Sequence, residues 1–225
     1  MRLAFGLAAS LFISPAISAN LLANGGFELP ALGGGYANYA DGSTAIPGWT
    51  VVDLSLVKDE GVSIVTTAAF SASGVVAMAG AQFLDLTGVY GQGKGVLSDA
   101  LTTQVGGTYR LSFGLGEFWV AGAGSFGAAA VDVAINGVWQ QQFINPVSLT
   151  SPGTDWVVQQ FDFKAASTST RIQITNSLGV AYSDAGTGLD SVSLSLVQAP
   201  VPEPGSAALL LAGLVAAALV KRRRG

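Results

Sequence analysis

The feature that most constrains this chain is a two-residue repeat of apolar and polar side chains. In Thr108–Gly116, every second residue from Tyr109 to Leu115 is apolar. Further runs of this kind are centred on Leu84, Val133, Ile174 and Leu194. Because a β-strand places successive side chains on opposite faces, this pattern predicts strands with one buried and one solvated face. Such strands are typical of antiparallel sheets.

Turn residues separate these predicted strands. Asn136-Gly137 stands between two alternating runs and predicts a tight hairpin. Gly106-Gly107 and Ser151–Gly153 mark further turns. In Asp155–Phe163 the apolar positions change parity after Val158, which predicts a β-bulge. About ten short strands in one domain predict an all-β fold, an antiparallel two-sheet sandwich.

Two Gly-rich segments show neither strand nor helix periodicity. They are Leu29–Ile46 and Gly116–Gly127, and both are predicted to be long irregular loops. Loops on a rigid sandwich commonly carry binding residues, so both segments are candidates for a functional site.

Residues 1–19 have the pattern of a secretory signal peptide. Arg2 is followed by an apolar run from Leu3 to Ile13, and Pro15 ends that run before the small residue Ala19. We expect cleavage after Ala19 and export of the chain. The alternative is a buried N-terminal helix.

Residues 198–225 combine a Pro-rich linker, an apolar run and a basic end. Gly205–Val220 contains 16 residues without a charge. A helix of this length spans about 24 Å, which is short of a hydrocarbon core of about 30 Å. The cations from Lys221 to Arg224 would stay on the cytoplasmic side. The segment therefore predicts an apolar helix that anchors the chain weakly.

This tail resembles the PEP-CTERM sorting signal of exopolysaccharide-producing Gram-negative bacteria. The residues that carry the resemblance are Val201, Pro202, Glu203, Pro204, Arg222, Arg223 and Arg224, together with the apolar run. The resemblance implies transient anchoring in the inner membrane and recognition by an exosortase-type processing enzyme near the Pro-Glu-Pro triplet. It also implies release to the cell envelope or extracellular matrix. The alternative is a permanent single-pass anchor.

Charge and residue types exclude several classes of function. Between Asn20 and Pro200, five cations stand against thirteen acids, and this net charge of −8 argues against binding to nucleic acid. The chain has no His and no Cys, which excludes disulfides, zinc sites made of these residues and catalytic units that need either one. We therefore expect a protein that is not an enzyme.

The body, residues 20–197, resembles the galactose-binding-like jelly roll shared by many carbohydrate-binding modules. The matching segments are Asn20–Glu28, Ile46–Trp49, Gly80–Leu86, Tyr109–Phe113, Trp156–Phe163 and Gly188–Leu194. The resemblance implies that the first and last segments lie close together, often around a structural Ca²⁺. It makes Glu28 and Asp190 candidate metal ligands, completed by backbone carbonyls. The alternative is that both carboxylates accept backbone N–H bonds at strand ends.

Two details of the last segment bear on this site. Many relatives have a second acid where this chain has Ser191, so one potential ligand is missing. Asp190 shares its parity with Val192 and Leu194, which predicts that its side chain points into the sandwich.

Sugar-binding modules stack exposed aromatic rings on the apolar faces of sugar rings and bond the hydroxyls with neighbouring polar groups. The candidate ligand-binding residues are Trp119 and Glu117 in the second Gly-rich segment, Tyr36 and Tyr39 in the first, and Trp139 just after the predicted hairpin. The alternative for each ring is packing on the sandwich. Trp49 and Trp156 match framework positions of the resembled fold and are expected in the core.

These observations predict an exported, non-enzymatic envelope or matrix protein that binds polysaccharide and carries a structural Ca²⁺. One alternative is a structural or adhesive matrix protein without a defined sugar ligand. A second is a glycoside-active enzyme, which would pair Glu117 with another carboxyl about 5–10 Å away.

Overall fold

The computed structural model describes residues 19–54, 61–87, 94–122, 128–147, 149–177, 186–200 and 222. Within these residues the chain forms thirteen β-strands and one short 3-10 helix, Ser71–Ser73. The strands are β1 (Tyr36–Tyr39), β2 (Trp49–Asp53), β3 (Val62–Thr66), β4 (Gln82–Asp85), β5 (Lys94–Ser98), β6 (Leu101–Thr102), β7 (Thr108–Trp119), β8 (Ala129–Ile135), β9 (Val138–Asn145), β10 (Gly153–Lys164), β11 (Ser169–Thr170), β12 (Ile172–Asn176) and β13 (Gly186–Gln198). The predicted signal peptide and tail helix lie outside the described residues, except for Ala19 and Arg222.

The strands form two main antiparallel sheets. One has six strands in the order β1-β3-β4-β13-β7-β10, and the other has five in the order β2-β5-β12-β8-β9. A short ladder joins β11 to β6. The long strand β7 pairs with β10 along its whole length and with β13 on its other side. The predicted all-β, antiparallel two-sheet sandwich is confirmed.

The core between the sheets is built from the apolar rows that the alternation predicts. In β7, the alternating residues from Tyr109 to Leu115 are all buried. The opposite sheet contributes Val51, Val96, Val131, Val133, Ile172 and Ile174. Trp49 is 1% exposed, as expected for a core residue, and its ring centroid lies 5.5 Å from that of Phe27. Each fully buried apolar side chain of the core contributes about 1.5–3 kcal/mol to folding, which makes the core between the sheets the main source of stability.

A second apolar cluster covers the outer face of the six-stranded sheet. Its buried members are Val65, Val75 and Phe83, with Phe118 and Trp156 packed against them. Trp156 fits there because Gly116 and Gly188 have no side chains; a Cβ on either would lie 2.7 or 2.8 Å from the indole ring. The ring N–H of Trp156 donates to the carbonyl of Val76 over 3.0 Å. Trp156 is thus a packing residue, but on the outer face of a sheet.

The parity change in Asp155–Phe163 is not a bulge, so that prediction is wrong. β10 pairs with β7 in one uninterrupted register. Trp156 belongs to the outer row of β10, whereas Phe161 and Phe163 belong to the row that packs on the core between the sheets. The change of phase arises because this strand buries apolar residues on both faces. Register shifts occur instead between Asp190 and Ser193 in β13, between Leu196 and Gln198 in β13, and between Val133 and Ala134 in β8.

The two predicted loops contain strand residues. The segment from Gly116 continues β7 as far as Trp119, so the second predicted loop begins four residues later than expected. The middle of Leu29–Ile46 forms β1, which pairs with β3 at the edge of the six-stranded sheet. In both cases backbone pairing with a neighbouring strand imposes structure on a Gly-rich sequence that lacks apolar periodicity.

Candidate functional site

A tight hairpin between β8 and β9 presents Trp139 to solvent. Asn136 and Gly137 have positive φ angles of 50° and 77°, as the two central residues of a type I′ turn require, so the predicted hairpin is confirmed. Trp139 lies opposite the small residue Ala134 and is 62% exposed. Its indole N–H donates to Oδ1 of Asp132 over 3.3 Å. The ring is therefore both accessible and held in place.

Trp139 lines a groove of about 220 Å³ on the outer face of the five-stranded sheet. The other residues that line this groove, called the Trp139 groove below, are Leu54, Asp132, Ala134, Gly137, Gln173 and Thr175. Asp132 faces Thr175 across the β8–β12 ladder, and Ala134 faces Gln173. The groove thus lies across neighbouring strands of a regular sheet, which fixes the relative positions of its side chains.

The Trp139 groove combines apolar and hydrogen-bonding surfaces. The exposed indole and Leu54, which is 55% exposed, provide flat or rounded apolar contacts. Asp132 supplies an acceptor and Gln173 supplies both a donor and an acceptor. Thr175 also lines the groove, but it is only 5% exposed. This combination suits a ligand that has an apolar face and many hydroxyl groups. It does not include the pair of facing carboxyls that glycoside hydrolysis needs.

Sequence reasoning selected Trp139 but did not assign Leu54, Gln173 or Thr175 to a site. The alternation around Ile172 and Ile174 already places Gln173 and Thr175 on the solvated face of their strand. The missing information is which strands are neighbours, because only β-pairing brings β12 next to β8 and the hairpin.

Glu117 and Trp119 lie at the end of β7, on the row that faces the other sheet. Glu117 is 1% exposed. The indole nitrogen of Trp119 is shielded from solvent and meets no hydrogen-bond acceptor among the residues that the structure describes. Neither side chain lines the Trp139 groove. Their role in sugar binding stays a prediction, and burial leaves Glu117 almost no solvent-accessible surface for such a contact.

Glu117 belongs to a set of polar residues buried between the sheets at one end of the sandwich. This inter-sheet polar cluster consists of Asp53, Lys94, Glu117, Asn145, Asn176 and Thr187, each no more than 2% exposed. Asp53 lies directly opposite Lys94, and Glu117 directly opposite Thr187. The Thr187 hydroxyl donates to Asn176 across the two sheets over 3.3 Å. Buried charges need partners, and here opposite charges share the interior.

Asn145 extends this cluster to the far edge of the sandwich. Its side-chain amide donates to the carbonyls of Leu115 and Asp155, at 3.1 Å each, and so joins β9 to β7 and β10. The cluster therefore holds the ends of both sheets together. The sequence contained a signal for it, since Asp53, Glu117 and Asn176 each continue the inward apolar row of their strand.

The two tyrosines of the first Gly-rich segment lie on β1 in different environments. Tyr36 is 60% exposed, and its ring stacks on Phe70 with centroids 6.3 Å apart. Tyr39 is buried, and desolvation raises the pKa of its hydroxyl. Neither lines the Trp139 groove, which lies on the other sheet. Their predicted sugar contacts would form a separate site.

The two candidate metal ligands, Glu28 and Asp190, both lie close to Gly26. A Cβ placed on Gly26 would be 3.9 Å from Glu28 Cγ and 3.8 Å from Asp190 Oδ1. Glu28 Oε1 accepts the N–H groups of Ala81 and Gln82 at 2.9 and 3.1 Å. Asp190 Oδ2 accepts the N–H of Ala79 at 3.0 Å. Both carboxylates thus fasten the chain segment that precedes β4.

Asp190 is fully buried, on the face opposite to the one expected. Leu189 packs in the core between the sheets, so Asp190 points to the outer face, and the register shift after Asp190 returns Val192 to the core. Ser191, with a φ of 53°, is part of this irregularity. The prediction of an inward side chain is therefore wrong. Burial raises the pKa of Asp190 to about 6, and N–H bonds from Ala79, Ser191 and Met78 offset part of that rise.

The described residues contain no group of three or more Asp, Glu, His or Cys side chains that could hold a metal ion. A cation at Glu28 and Asp190 would therefore need backbone carbonyls or water as further ligands. The same part of the chain has no helix long and apolar enough to cross a membrane. The predicted sorting residues Val201–Pro204, Arg223 and Arg224 lie outside it, and Arg222 is exposed.

Comparison with known proteins identifies the C-terminal segment. Residues 200–224 match the PEP-CTERM protein-sorting motif. This motif indicates an exported protein and implies processing by an exosortase. No curated protein is significantly similar to the chain.

Solved structures similar to this chain include cyclases. The Stig cyclase Fisc from Fischerella sp. TAU, in complex with (3Z)-3-(1-methyl-2-pyrrolidinylidene)-3H-indole, has a TM-score of 0.59 and 18% identity, covering 82% of this chain and 100% of that chain. An apo form cyclase from Fischerella sp. has a TM-score of 0.60 and 17% identity, covering 81% and 97%. At this identity, the likeness shows a shared fold.

Carbohydrate-binding modules are also among the structural neighbours. The N-terminal CBM22-1-CBM22-2 tandem domain from Paenibacillus barcinonensis Xyn10C is 20% identical and covers 86% of this chain and 50% of that chain. Its TM-score is 0.43, too low to support any argument about the site.

Proposed function

We propose that this chain is an exported, non-enzymatic protein of the cell envelope or extracellular matrix that binds polysaccharide in the Trp139 groove. The observation that carries this proposal is the exposed Trp139 ring, fixed to Asp132 beside Gln173 and Thr175 on a rigid sheet. The outer face of a sheet is open along its length, which allows a polymer to lie across it without threading its ends.

The chemistry of the groove matches that of a sugar chain. A pyranose presents C–H groups on one face, which pack on an indole, and hydroxyls at its edges, which bond to carboxylate, amide and hydroxyl groups. Aromatic side chains commonly dominate binding energy, with losses of about 2 kcal/mol or more on truncation. We therefore assign the main contact to Trp139, and orientation of the sugar to Asp132 and Gln173.

The tail determines where binding takes place. We propose that the apolar run from Gly205 holds the exported chain at the inner membrane until an exosortase-type enzyme cleaves it. The released body then joins the envelope or matrix, where polysaccharide is its partner. A structural Ca²⁺ bound by Glu28 and Asp190 is part of this proposal, and its support is that Glu28 Cγ and Asp190 Oδ1 would both lie within 4 Å of a Cβ on Gly26.

A glycan array probed with the full chain, with and without Ca²⁺, tests the binding proposal. We expect retention on at least one polysaccharide and a loss of roughly 30-fold or more in affinity for Trp139→Ala. Trp119→Ala and Tyr36→Ala serve as comparison variants, since both rings lie outside the groove. Retention that depends on Trp119 and not on Trp139 would move the site to the end of β7.

Absence of retention on every glycan would support a structural or adhesive matrix protein without a sugar ligand. Release of reducing ends from a bound polysaccharide would support the glycoside-active alternative. For that outcome Glu117→Gln is the decisive variant, because catalysis would require its carboxyl while simple binding in the Trp139 groove does not.

A further inference from the structure

The folded body continues into the sorting tail at one end of the sandwich. β13 ends at Gln198, opposite the first residue of β7, Thr108. The chain then runs to Pro200 over a depression of about 280 Å³. This depression is lined by Val105, Gly106, Thr108, Lys164, Gln198, Ala199 and Pro200, which we call the exit end.

No spacer separates the exit end from the sorting motif. The match to the motif begins at residue 200, and Pro200 itself lies against the fold, where a Cβ on Gly106 would be 3.8 Å from Pro200 Cβ. Gly205, where the apolar run begins, is five residues further on. Even a fully extended chain spans at most about 18 Å over that distance. If the run lies in a membrane, the exit end must lie close to it.

The turn that forms the tip of the exit end is apolar and well fastened. Val105 is 55% exposed at this tip. The turn is held by bonds from the Gln104 N–H to the Tyr109 hydroxyl and from the Gly106 N–H to the Ala165 carbonyl, both 2.8 Å. Val197 of β13, 46% exposed, adds apolar surface close by. The fold therefore presents aliphatic side chains at the place where the tail leaves.

The exposed cations of the body lie at this same end. Among the described residues before the tail, they are Arg110, Lys164 and Arg171. Lys164 lines the depression of the exit end and also an adjoining cleft that includes Asn136. Asn136 bonds the backbone of Arg171.

Two exposed acids lie nearby. Asp162 forms an ion pair with Arg110 at 2.7 Å, and Asp99 follows the end of β5. The exit end therefore carries a small net positive charge. The opposite end of the sandwich contains Asp53, Asp85, Glu117 and Asp155, with Lys94. Of these two sets of described charges, the one at the exit end is the less acidic.

We propose that the exit end, with Val105 at its tip and Lys164 and Arg171 beside it, rests on an anionic lipid surface while the tail is attached. This inference rests on the proposed membrane hold. The short tether brings the exit end within reach of the lipid surface, the two cations favour an anionic surface, and the exposed valines enter the headgroup region. The Trp139 groove lies on the outer face of the five-stranded sheet and shares no lining residue with the exit end.

Single-cysteine labelling of the full chain tests this orientation, because the natural chain has no Cys. The Val105→Cys variant places a fluorescent label at the exit end. The Ala121→Cys variant places it just beyond the other end of β7, roughly 36 Å away for a 12-residue strand. Each labelled protein is reconstituted into vesicles of phosphatidylglycerol and phosphatidylcholine that contain a headgroup-level quenching lipid.

We expect strong quenching of the label on Val105→Cys and quenching at least fivefold weaker on Ala121→Cys. In the Val105→Cys background, Lys164→Gln with Arg171→Gln should reduce the quenching in anionic vesicles and leave it unchanged in pure phosphatidylcholine. Equal quenching at both sites, in protein that floats with the vesicles, overturns the inference and leaves the membrane hold intact. Protein that does not float with the vesicles overturns both. If the label on Val105→Cys is shielded from solvent only when membranes that contain exosortase are added, the exit end contacts the enzyme and not lipid.

Discussion

The indole N–H of Trp139 donates to Oδ1 of Asp132, two residues that stand on neighbouring strands at the surface of the five-stranded sheet. The bond ties the position of an exposed ring to that of a carboxylate. In the proposed function, one group then contacts the face of a sugar while the other contacts its hydroxyls.

Changes at Asp132 should separate these two roles. Asp132→Ala removes the acceptor for both the ring and the sugar, so we expect affinity for the bound glycan to fall roughly 10- to 100-fold, as for loss of a bond to a charged group. Asp132→Asn retains an oxygen for the indole and should lose less. Isothermal titration with the glycan found on the array provides the measurement. Equal affinity for all three proteins would place the sugar elsewhere.

Removal of metal should lower the melting temperature if Glu28 and Asp190 share a Ca²⁺, because a ligand that binds only the folded state stabilises it. Asp190→Asn should weaken metal binding by removing one anionic oxygen. Scanning calorimetry of protein loaded with Ca²⁺ and then treated with a chelator gives the result. An unchanged melting temperature would leave the backbone N–H bonds of Ala79, Ala81 and Gln82 as the whole role of these carboxylates.

Processing should remove both ends of the chain. We expect mature protein from the envelope or the culture medium to begin near Asn20 and to lack the apolar run from Gly205 to Val220. Intact-mass analysis measures both ends at once. A fully matured species that still contains the apolar run would show that the tail is a permanent anchor.

Stability should depend on pH through Asp85. Burial raises its pKa to about 6 from 3.8, while bonds from Thr87 and the charge of Lys94 offset part of the rise. The folded state thus binds the proton more tightly than the unfolded state does. The stabilisation that this gives is complete below about pH 3.8 and is lost as the pH rises through about 6. Between these two pH limits the free energy of unfolding should fall by about 3 kcal/mol.

Asp85→Asn is the variant that isolates this effect. Urea unfolding of both proteins from pH 3.5 to 7.5 should show a difference in unfolding free energy that favours the natural chain more at low pH than at high pH. A difference that does not vary with pH would mean that Asp85 has an ordinary pKa.

Gly116→Ala should destabilise the fold, because its Cβ would lie 2.7 Å from the Trp156 ring on the outer face of the six-stranded sheet. We expect a loss of about 1–3 kcal/mol, as for other overpacked sites. Gly33→Ala is the matched control, since a Cβ there meets nothing within 4 Å. Thermal unfolding of the two variants should differ by several degrees. Equal melting temperatures would show that Trp156 moves aside at little cost.

Local patterns in the sequence were sufficient for much of the architecture. The alternation around Tyr109–Leu115 and Ile172–Ile174 identifies strands and their inward rows because side-chain direction in a strand depends only on position along it. Asn136-Gly137 specifies its hairpin because few other residues accept two successive positive φ angles. The sorting motif is likewise a contiguous pattern, and its match at residues 200–224 required no fold.

Tertiary structure decided the rest, because it depends on strand partners that are far apart in the chain. Trp156 packs outward only because Gly116 and Gly188 of two neighbouring strands leave room for its ring. The shift after Asp190 moves that carboxylate to the face opposite the one its parity predicts. The Trp139 groove exists because pairing places β12 beside β8, about 40 residues away, and a period-2 pattern assigns a side chain to a face but never chooses its neighbour across the sheet.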